Sequence, residues 1–433
     1  MNYYIEPATA PLSGELLVPG DKSITHRALI LAALAQGQTE VRGLLDSADT
    51  RATLQVLQQL GVAIGQHEDG IAVQGIGKHG LQAPEAALDF GNSGTSARLM
   101  AGVLATQDFA SELIGDASLM QRPMRRVSEP LAAMGADINT SAAGSLPLQI
   151  RPVSALHGIR YEMPVASAQI KSAILLAGLY ADGTTTVIQP APCRDHTERM
   201  LLQFGCPLQQ DGNAISVSNA PLQATAIQVP ADISSAAFFL VAASIVPGSD
   251  VSLPDVGMNP TRHAIVGLLQ SMGADIQVQM QDGNEHEPRA DLRVRYSKLR
   301  GIDIPTTAVP IAIDELPVLM IAAAVAEGTT TLHGAAELRV KESDRIAAMV
   351  AGLQNLGVTV NESADGMQVQ GGALQGGEVD SFADHRIAMA FSIAGLAATG
   401  AVTVRDCANV ATSFPDFVSG CGTLGGLITV RET

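Results

Sequence analysis

The chain has no tryptophan, and only 3% of its 433 residues are aromatic. Stacked rings cannot organise its interior, so the 46% of residues that are hydrophobic must build a core chiefly from Ala, Leu, Val and Ile. Cysteine is also scarce. Cys193, Cys206, Cys407 and Cys421 lie scattered without metal-ligand spacing, so no metal is expected and a reducing cytoplasm is. No run reaches the roughly 18 clean apolar residues of a membrane span. The opening residues, MNYYIEPATAPLSG, carry neither the basic nor the apolar region of a secretory leader, and no membrane partner is expected. Positive charge is short as well: 26 Lys and Arg against 43 Asp and Glu, a net charge of −17, which disfavours nucleic acid as a partner. Where the few cations stand is therefore informative, and many stand at the openings of apolar helices.

Residues 18–35, VPGDKSITHRALILAALA, set the pattern. A short extended lead reaches Pro19-Gly20, and the cluster Asp21-Lys22-Ser23 opens an apolar helix. Asp or Ser suits such a start, since either can cap the free N–H groups of the first turn. Lys22 does not suit it. A cation at the positive end of the helix dipole is unfavourable by about 0.3–1 kcal/mol, and Arg27, one turn on, adds to the misfit. An anion between the two cations resolves the conflict, because a helix N-terminus binds phosphate or carboxylate with its own N–H groups. The alternative is a solvated lysine on a loop.

The chain repeats this stretch. Residues 91–105 (GNSGTSARLMAGVLA), 166–181 (ASAQIKSAILLAGLYA), 231–245 (ADISSAAFFLVAASI), 313–328 (IDELPVLMIAAAVAEG) and 382–397 (FADHRIAMAFSIAGLA) each open polar and continue as an Ala-rich apolar helix. Gly37, Gly183, Gly328 and Gly400 then precede Thr/Val runs, reading as a helix stop and a strand start. A second helix in each unit ends in a hydrophobe and glycine at Leu60-Gly61, Met134-Gly135, Phe204-Gly205, Met272-Gly273 and Leu356-Gly357, while the sixth unit degrades at Gly420-Cys421-Gly422. The result is six units of roughly 70 residues that stack to share a core.

Within the units, Gly91 and Gly94 allow backbone N–H groups to approach a ligand closely, with Arg98 one turn on. QRPMRR at 121–126 puts Arg122 and two further arginines at a helix head. Ser167 and Gln169 suit sugar-like hydroxyls or a helix cap, and Lys171 reads as solvated. Arg194 to Glu198, RDHTE, fits no zinc pattern and reads as a cap plus an ion pair. The fourth unit lacks a lysine at its opening and reads as structural, and its second helix is expected to open on Pro260. Asp314 and Glu315 sit in an apolar setting as adjacent carboxylates that do not share a helix face, with Asp314 either a functional carboxylate or an N-cap. Lys341 and Arg345, four apart, share a helix face, with Glu342 three from Arg345. His385-Arg386 again sets cations at the wrong pole. Converging helix starts would make a strongly positive pocket in an acidic protein, holding more than one anionic group and a few acids. With no metal motif and no nucleotide P-loop, that points to transfer chemistry on small phosphorylated substrates without a cofactor.

The motifs GDKSITHR, GNSGTSAR, QRPMRR, SAQIK, RVKESDR and DHRIAMAF together resemble those of the 5-enolpyruvylshikimate-3-phosphate synthase family across essentially the whole chain, and RDHTE with NPTR at 259–262 resembles its class II members. The resemblance implies an α/β fold, a two-domain inside-out α/β barrel of six βαβαββ units whose helix N-termini face the inter-domain cleft. One domain would be residues 21–230, the other residues 1–20 plus 231–433. It implies transfer of enolpyruvyl from phosphoenolpyruvate to shikimate 3-phosphate by a cytoplasmic monomer. Shikimate 3-phosphate would be held by Lys22, Ser23, Arg27, Ser167, Ala168, Gln169, Arg194, Asp314 and Lys341. Phosphoenolpyruvate would be held by Lys22, Gly94, Arg122, Gln169, Arg345, His385 and Arg386. Asp314 would take the hydroxyl proton, with Lys22 and Glu342 the candidates for protonating the methylene carbon. Ala411 departs from the pattern, since many relatives carry a phosphate-binding lysine there. Two rival readings are a sister enzyme acting on UDP-N-acetylglucosamine, which typically uses a loop cysteine that residues 111–121 lack, and a non-catalytic anion-binding protein.

Overall fold

Six apolar helices cannot each be solvated, and a chain that repeats such a helix must bury it against its own copies. The computed structural model describes residues 1–67, 69–283 and 286–432, and the chain divides into two compact units, residues 22–229 and residues 1–21 with 230–433. Each unit has its own apolar core. In residues 22–229 the core is built on helices Lys22–Leu34, Gly94–Leu104 and Ala168–Gly178, and in the other unit on Ile233–Ile245, Leu316–Val325 and His385–Leu396. These helices are buried on nearly every side, and every residue of Ile233–Ile245 is. Small residues allow close crossing: a Cβ on Gly102 would lie 2.2 Å from the Ala173 carbonyl oxygen of the neighbouring helix.

The described residues form six sheets of one design, three per unit. A strand before the central helix pairs parallel with the strand after it, and two further strands join antiparallel, as in Arg160–Glu162, Thr184–Ile188, Ala214–Ser218 and Leu208–Asp211. In one sheet the parallel partner is reduced to single bridges, such as Asp303 with Thr331. The chain ends complete the pattern. The expected lead-in strand at residues 1–17 is two strands in two sheets. Asn2–Ile5 supplies the last strand of the final unit, with Tyr3 opposite Val404, and Ser13–Glu15 supplies the first strand of the fourth. Ile227–Gln228 closes the first unit by pairing with Val41 and Arg42. A repeat begun by one segment and finished by another far along the sequence explains why the chain passes twice between its units.

The outer helices bury one face only and stop where the sequence signals. Gly61, Gly135, Gly205, Gly273 and Gly357 follow the helix ends with φ between +79° and +101°. The sixth unit corrects the expectation of decay at 420–422. Its helix Phe417–Thr423 runs through those residues and stops at Leu424-Gly425, with φ +95°, the same hydrophobe-glycine pair as in the other five. Two other expected boundaries move. The helix after Asn259-Pro260 begins only at Ala264, because Asn259 Oδ1 accepts the Thr261 N–H at 2.8 Å and turns the chain first. The helix after Lys341 begins at Arg345, capped by Asp344, so Lys341 and Glu342 precede it and share no helix face with Arg345.

Gly205 isolates the backbone requirement, since a Cβ there would meet only the Gln223 side chain, at 3.9 Å, while φ is +79°. Gly205→Ala is expected to lower stability by roughly 1–2 kcal/mol, the cost of a left-handed alanine, and Gly205→Asn to lower it less. Urea midpoints of the three proteins measure this; an alanine variant as stable as the parent contradicts it.

Candidate active site

The first turns of the three central helices in each unit touch through polar side chains, and the residues singled out by sequence lie there or in the segments that lead into the outer helices. In residues 22–229, Lys22 Nζ donates to Asp49 Oδ2 at 3.0 Å, so the cation at the helix start has a carboxylate beside it. Asp49 belongs to helix Ala48–Gln59, which Ser47 opens with a capping box to Thr50. His26 bridges onward, with Nδ1 2.8 Å from Thr53 Oγ1 and Nε2 3.4 Å from Ser93 Oγ, and Ser93 caps the helix that begins at Gly94. Gln169 completes the contact between helix starts: its Nε2 donates to Thr95 Oγ1 at 2.9 Å and its Oε1 accepts from Arg98 Nη1 at 2.7 Å.

Around Gly94 the basic groups crowd. A Cβ on Gly94 would lie 2.8 Å from Arg98 Nη1 and 3.3 Å from Arg122 Nη1. Arg122 donates from Nη2 to Asn92 Oδ1 at 2.7 Å and Ser118 Oγ at 3.2 Å. Gly94, Arg98, Arg122 and Gln169 are thus one neighbourhood. Arg27 lies deeper and is buried, donating to Thr197 Oγ1 at 2.7 Å, Ser172 Oγ at 2.8 Å and the Ser23 carbonyl at 2.9 Å. Ser167 occupies the N-cap position before Ala168, and Arg194 is half-buried in the segment leading to helix His196–Gln203. Asp195 makes no side-chain cap there. It pairs instead with Arg199 at 2.8 Å, so of the expected cap plus ion pair only the ion pair is present.

In the other unit, Asp314 is the meeting point. Its carboxylate lies 3.2 Å from Arg345 Nη1, 3.7 Å from Lys341 Nζ and 3.8 Å from Arg386 Nη2, and its carbonyl accepts from Arg386 Nη1 at 2.8 Å. The N-cap alternative does not hold, because Glu315 takes that position and makes no capping bond. Glu342 Oε2 accepts from Arg345 Nη2 at 2.5 Å. Arg345 is buried, being 1% exposed. Burial opposes its charge, but Asp384, Glu342 and Asp314 outweigh that and raise its pKa. Asp384 accepts from Arg345 Nε at 2.8 Å and caps the helix start at Arg386, beside His385. Burial would raise the Asp384 pKa, but Arg345 reverses the sign and holds it below the ordinary value.

Two buried charge clusters escaped the sequence reading. Arg262 of the NPTR motif donates to Asp21 Oδ2 at 3.0 Å, Asp232 Oδ1 at 3.1 Å and Ser234 Oγ at 2.6 Å, and Ser234 donates to Glu315. Burial, then the charge of Asp21, pushes the Asp232 carboxyl above its ordinary value. Lys171, read as solvated, is wholly buried and pairs with Glu198 at 2.6 Å. The signal for both was present as acids recurring at helix starts.

A family model described as EPSP synthase (3-phosphoshikimate 1-carboxyvinyltransferase) matches residues 7–420. The chain is similar to the 3-phosphoshikimate 1-carboxyvinyltransferase of Methylococcus capsulatus, with 57% identity over 96% of this chain and 95% of that one. It is also similar to that of Alkalilimnicola ehrlichii, with 56% identity over 99% and 97%. Among solved structures, an EPSP synthase from Acinetobacter baumannii superposes with a TM-score of 0.89 at 48% identity, over the full length of both chains.

Asp384 gives this site an acid sensitivity of known sign. Its folded pKa is lowered, so its contribution is fully present above the unfolded value of about 3.9 and is lost as pH falls through the lower folded value. Asp384→Asn, which keeps the cap, should cost about 1.5–3 kcal/mol near neutrality, as for a hydrogen bond to a charged group. The gap to the parent should close as the medium is acidified below about pH 4. Chemical denaturation across the acid range measures it, and a gap independent of pH contradicts the assignment.

Proposed function

The chain belongs to the EPSP synthase family, and from that membership we propose that the clusters around Lys22 and Asp314 both serve its reaction. The chain is a transferase of aromatic amino acid biosynthesis: it moves the enolpyruvyl group of phosphoenolpyruvate to the 5-hydroxyl of shikimate 3-phosphate and releases phosphate. Both substrates are small and multiply anionic, so the work for the protein is to gather cations at fixed points and to move protons.

Lys22, Ser23, Arg27, Ser167, Ala168, Gln169, Arg194, Asp314 and Lys341 serve shikimate 3-phosphate. Lys22, Gly94, Arg122, Gln169, Arg345, His385 and Arg386 serve phosphoenolpyruvate. Guanidinium groups suit both its carboxylate and its phosphate, because each offers paired donors in a rigid fork. Lys22 joins both sets as a compact charge. The lack of a side chain at Gly94 keeps the space beside the Arg98 and Arg122 guanidinium groups clear of a Cβ. Asp314 accepts the proton of the 5-hydroxyl as its oxygen bonds to C2. Lys22 or Glu342 delivers a proton to the methylene carbon. The tetrahedral intermediate then expels phosphate, and the methyl group returns a proton as the enol ether forms. The enzyme acts as a monomer in the cytoplasm without nucleic acid, in keeping with its charge of −17 and its free, buried cysteines. Among the described residues no helix is long and apolar enough to cross a membrane.

The observation that carries the reading is the carboxylate of Asp314 ringed by Lys341, Arg345 and Arg386. It sets a base among the cations that hold anionic reactants. Asp314→Asn keeps the shape but cannot act as that base. Turnover, followed as phosphate release from phosphoenolpyruvate, should fall roughly 10²–10⁴-fold, with shikimate 3-phosphate affinity by calorimetry changed far less. Retention of more than about a tenth of parental turnover removes Asp314 from the catalytic set. Phosphate release on UDP-N-acetylglucosamine in place of shikimate 3-phosphate contradicts the substrate assignment.

A further inference from the structure

A lysine inside an apolar core needs a reason. Lys171 lies on helix Ala168–Gly178, is 0% exposed, and stands in a run of buried residues that includes Ile170, Ala173, Ile174 and Leu175. Taking an ammonium out of water costs several kcal/mol, and a buried ion pair seldom repays this better than an apolar pair of the same volume. Stability is therefore a poor explanation for Lys171 and its partner Glu198, itself 4% exposed.

The geometry of the ammonium suggests another. An ammonium has three N–H donors, and Lys171 Nζ has three acceptors: Glu198 Oε1 at 2.6 Å, Gln189 Oε1 at 3.0 Å and the Cys193 carbonyl at 3.2 Å. All three belong to one stretch of chain. Gln189 follows strand Thr184–Ile188, Glu198 is in the first turn of helix His196–Gln203, and Cys193 lies in the irregular segment between. That segment contains Pro190 and Pro192 and has no ladder of its own to fix it. Cys193 Sγ donates to the same Gln189 oxygen at 3.2 Å, which ties the segment back on itself. The residue after Cys193 is Arg194. On the other side, the Lys171 N–H donates to the Ser167 carbonyl at 3.1 Å, so the same residue sits one turn beneath Ser167, Ala168 and Gln169.

We propose that Lys171 and Glu198 are positioning residues for the shikimate 3-phosphate subsite, with the buried ammonium holding the 189–194 segment by the Cys193 carbonyl and so fixing where the backbone presents Arg194 relative to Ser167 and Gln169. This rests on the assignment of Arg194, Ser167 and Gln169 to that substrate. The hydrogen bond to a backbone carbonyl is what an apolar replacement cannot reproduce, however well it packs. Gln169, assigned to both substrates, is held by Thr95 and Arg98 and not by the 189–194 segment, and the phosphoenolpyruvate contacts assigned to Arg122, Arg345 and Arg386 draw on other segments.

The test is steady-state kinetics of Lys171→Met/Glu198→Leu, which removes both charges together and leaves neither partner unpaired in the core, beside Arg194→Ala and the combination of all three. The expected result is a folded double variant whose KM for shikimate 3-phosphate rises about tenfold or more, the scale of a small misplacement of a binding group, while KM for phosphoenolpyruvate moves by no more than about twofold. In the Arg194→Ala background the double substitution should add nothing further. A double variant with an unchanged KM for shikimate 3-phosphate overturns the proposal, as does one whose effect is undiminished in the Arg194→Ala background, or one that fails to fold and so marks the pair as structural. If Arg194→Ala itself leaves that KM unchanged, the substrate assignment fails, and the positioning role fails with it. If Arg194→Ala raises KM and the double variant does not, the positioning role alone fails.

Discussion

A cation near the N-terminus of a buried helix faces the positive end of the backbone dipole and has lost its water, so it must have an anion beside it. This constraint shapes both units. Lys22 has Asp49, Arg345 has Asp384, Glu342 and Asp314, and Lys171 has Glu198. Each carboxylate comes from another element than the cation or from the chain just before it, so every ion pair also pins one segment to another. The helices themselves are apolar on nearly all sides and would otherwise have little to fix their axial register. Charge at their first turns supplies it, and the same charge suits a site for anionic substrates.

The pairs differ in how far they can yield. Arg345 is 1% exposed and Asp384 entirely buried, so that pair is a fixed part of the framework. Lys22, with its side chain 20% exposed, holds Asp49 at the edge of solvent, and Lys341, 24% exposed, stands off Asp314 at 3.7 Å. The partly exposed cations have solvent on one side, whereas the buried ones are enclosed by their carboxylates. Arg262 belongs to the second kind. It binds Asp21 and Asp232, which end the two extended segments where the chain passes between its units. Those segments are themselves joined by Asp21 N–H to the Pro230 carbonyl and Asp232 N–H to the Pro19 carbonyl, each at 2.8 Å.

The sixfold repeat was legible because its signals are local. An apolar run with a polar opening and a hydrophobe-glycine stop mean the same thing wherever they fall, and the glycines at 61, 135, 205, 273 and 357 all adopt the left-handed conformation they suggested. The family was legible from its motifs, and the comparisons show it over nearly the whole chain. What stayed hidden was long-range. That Asn2–Ile5 completes the last sheet, or that Ile227–Gln228 closes the first, depends on pairing across most of the sequence. Lys171 was misread for the same reason: its partner Glu198 is 27 residues away, and only the fold brings them together. The helix boundary at Arg345 was misplaced because Asp344 caps more strongly than the i,i+4 charge spacing suggests.

The central claim is that cations at the helix starts hold the anionic substrates and that Lys22 is shared by both. Lys22→Gln tests it most directly, because glutamine can still donate to Asp49 and removes only the charge. Calorimetric titration of the folded variant with shikimate 3-phosphate and with phosphoenolpyruvate should show both affinities weakened by about tenfold or more, as expected for loss of a charge-assisted contact. Binding of both substrates at parental affinity would contradict the account.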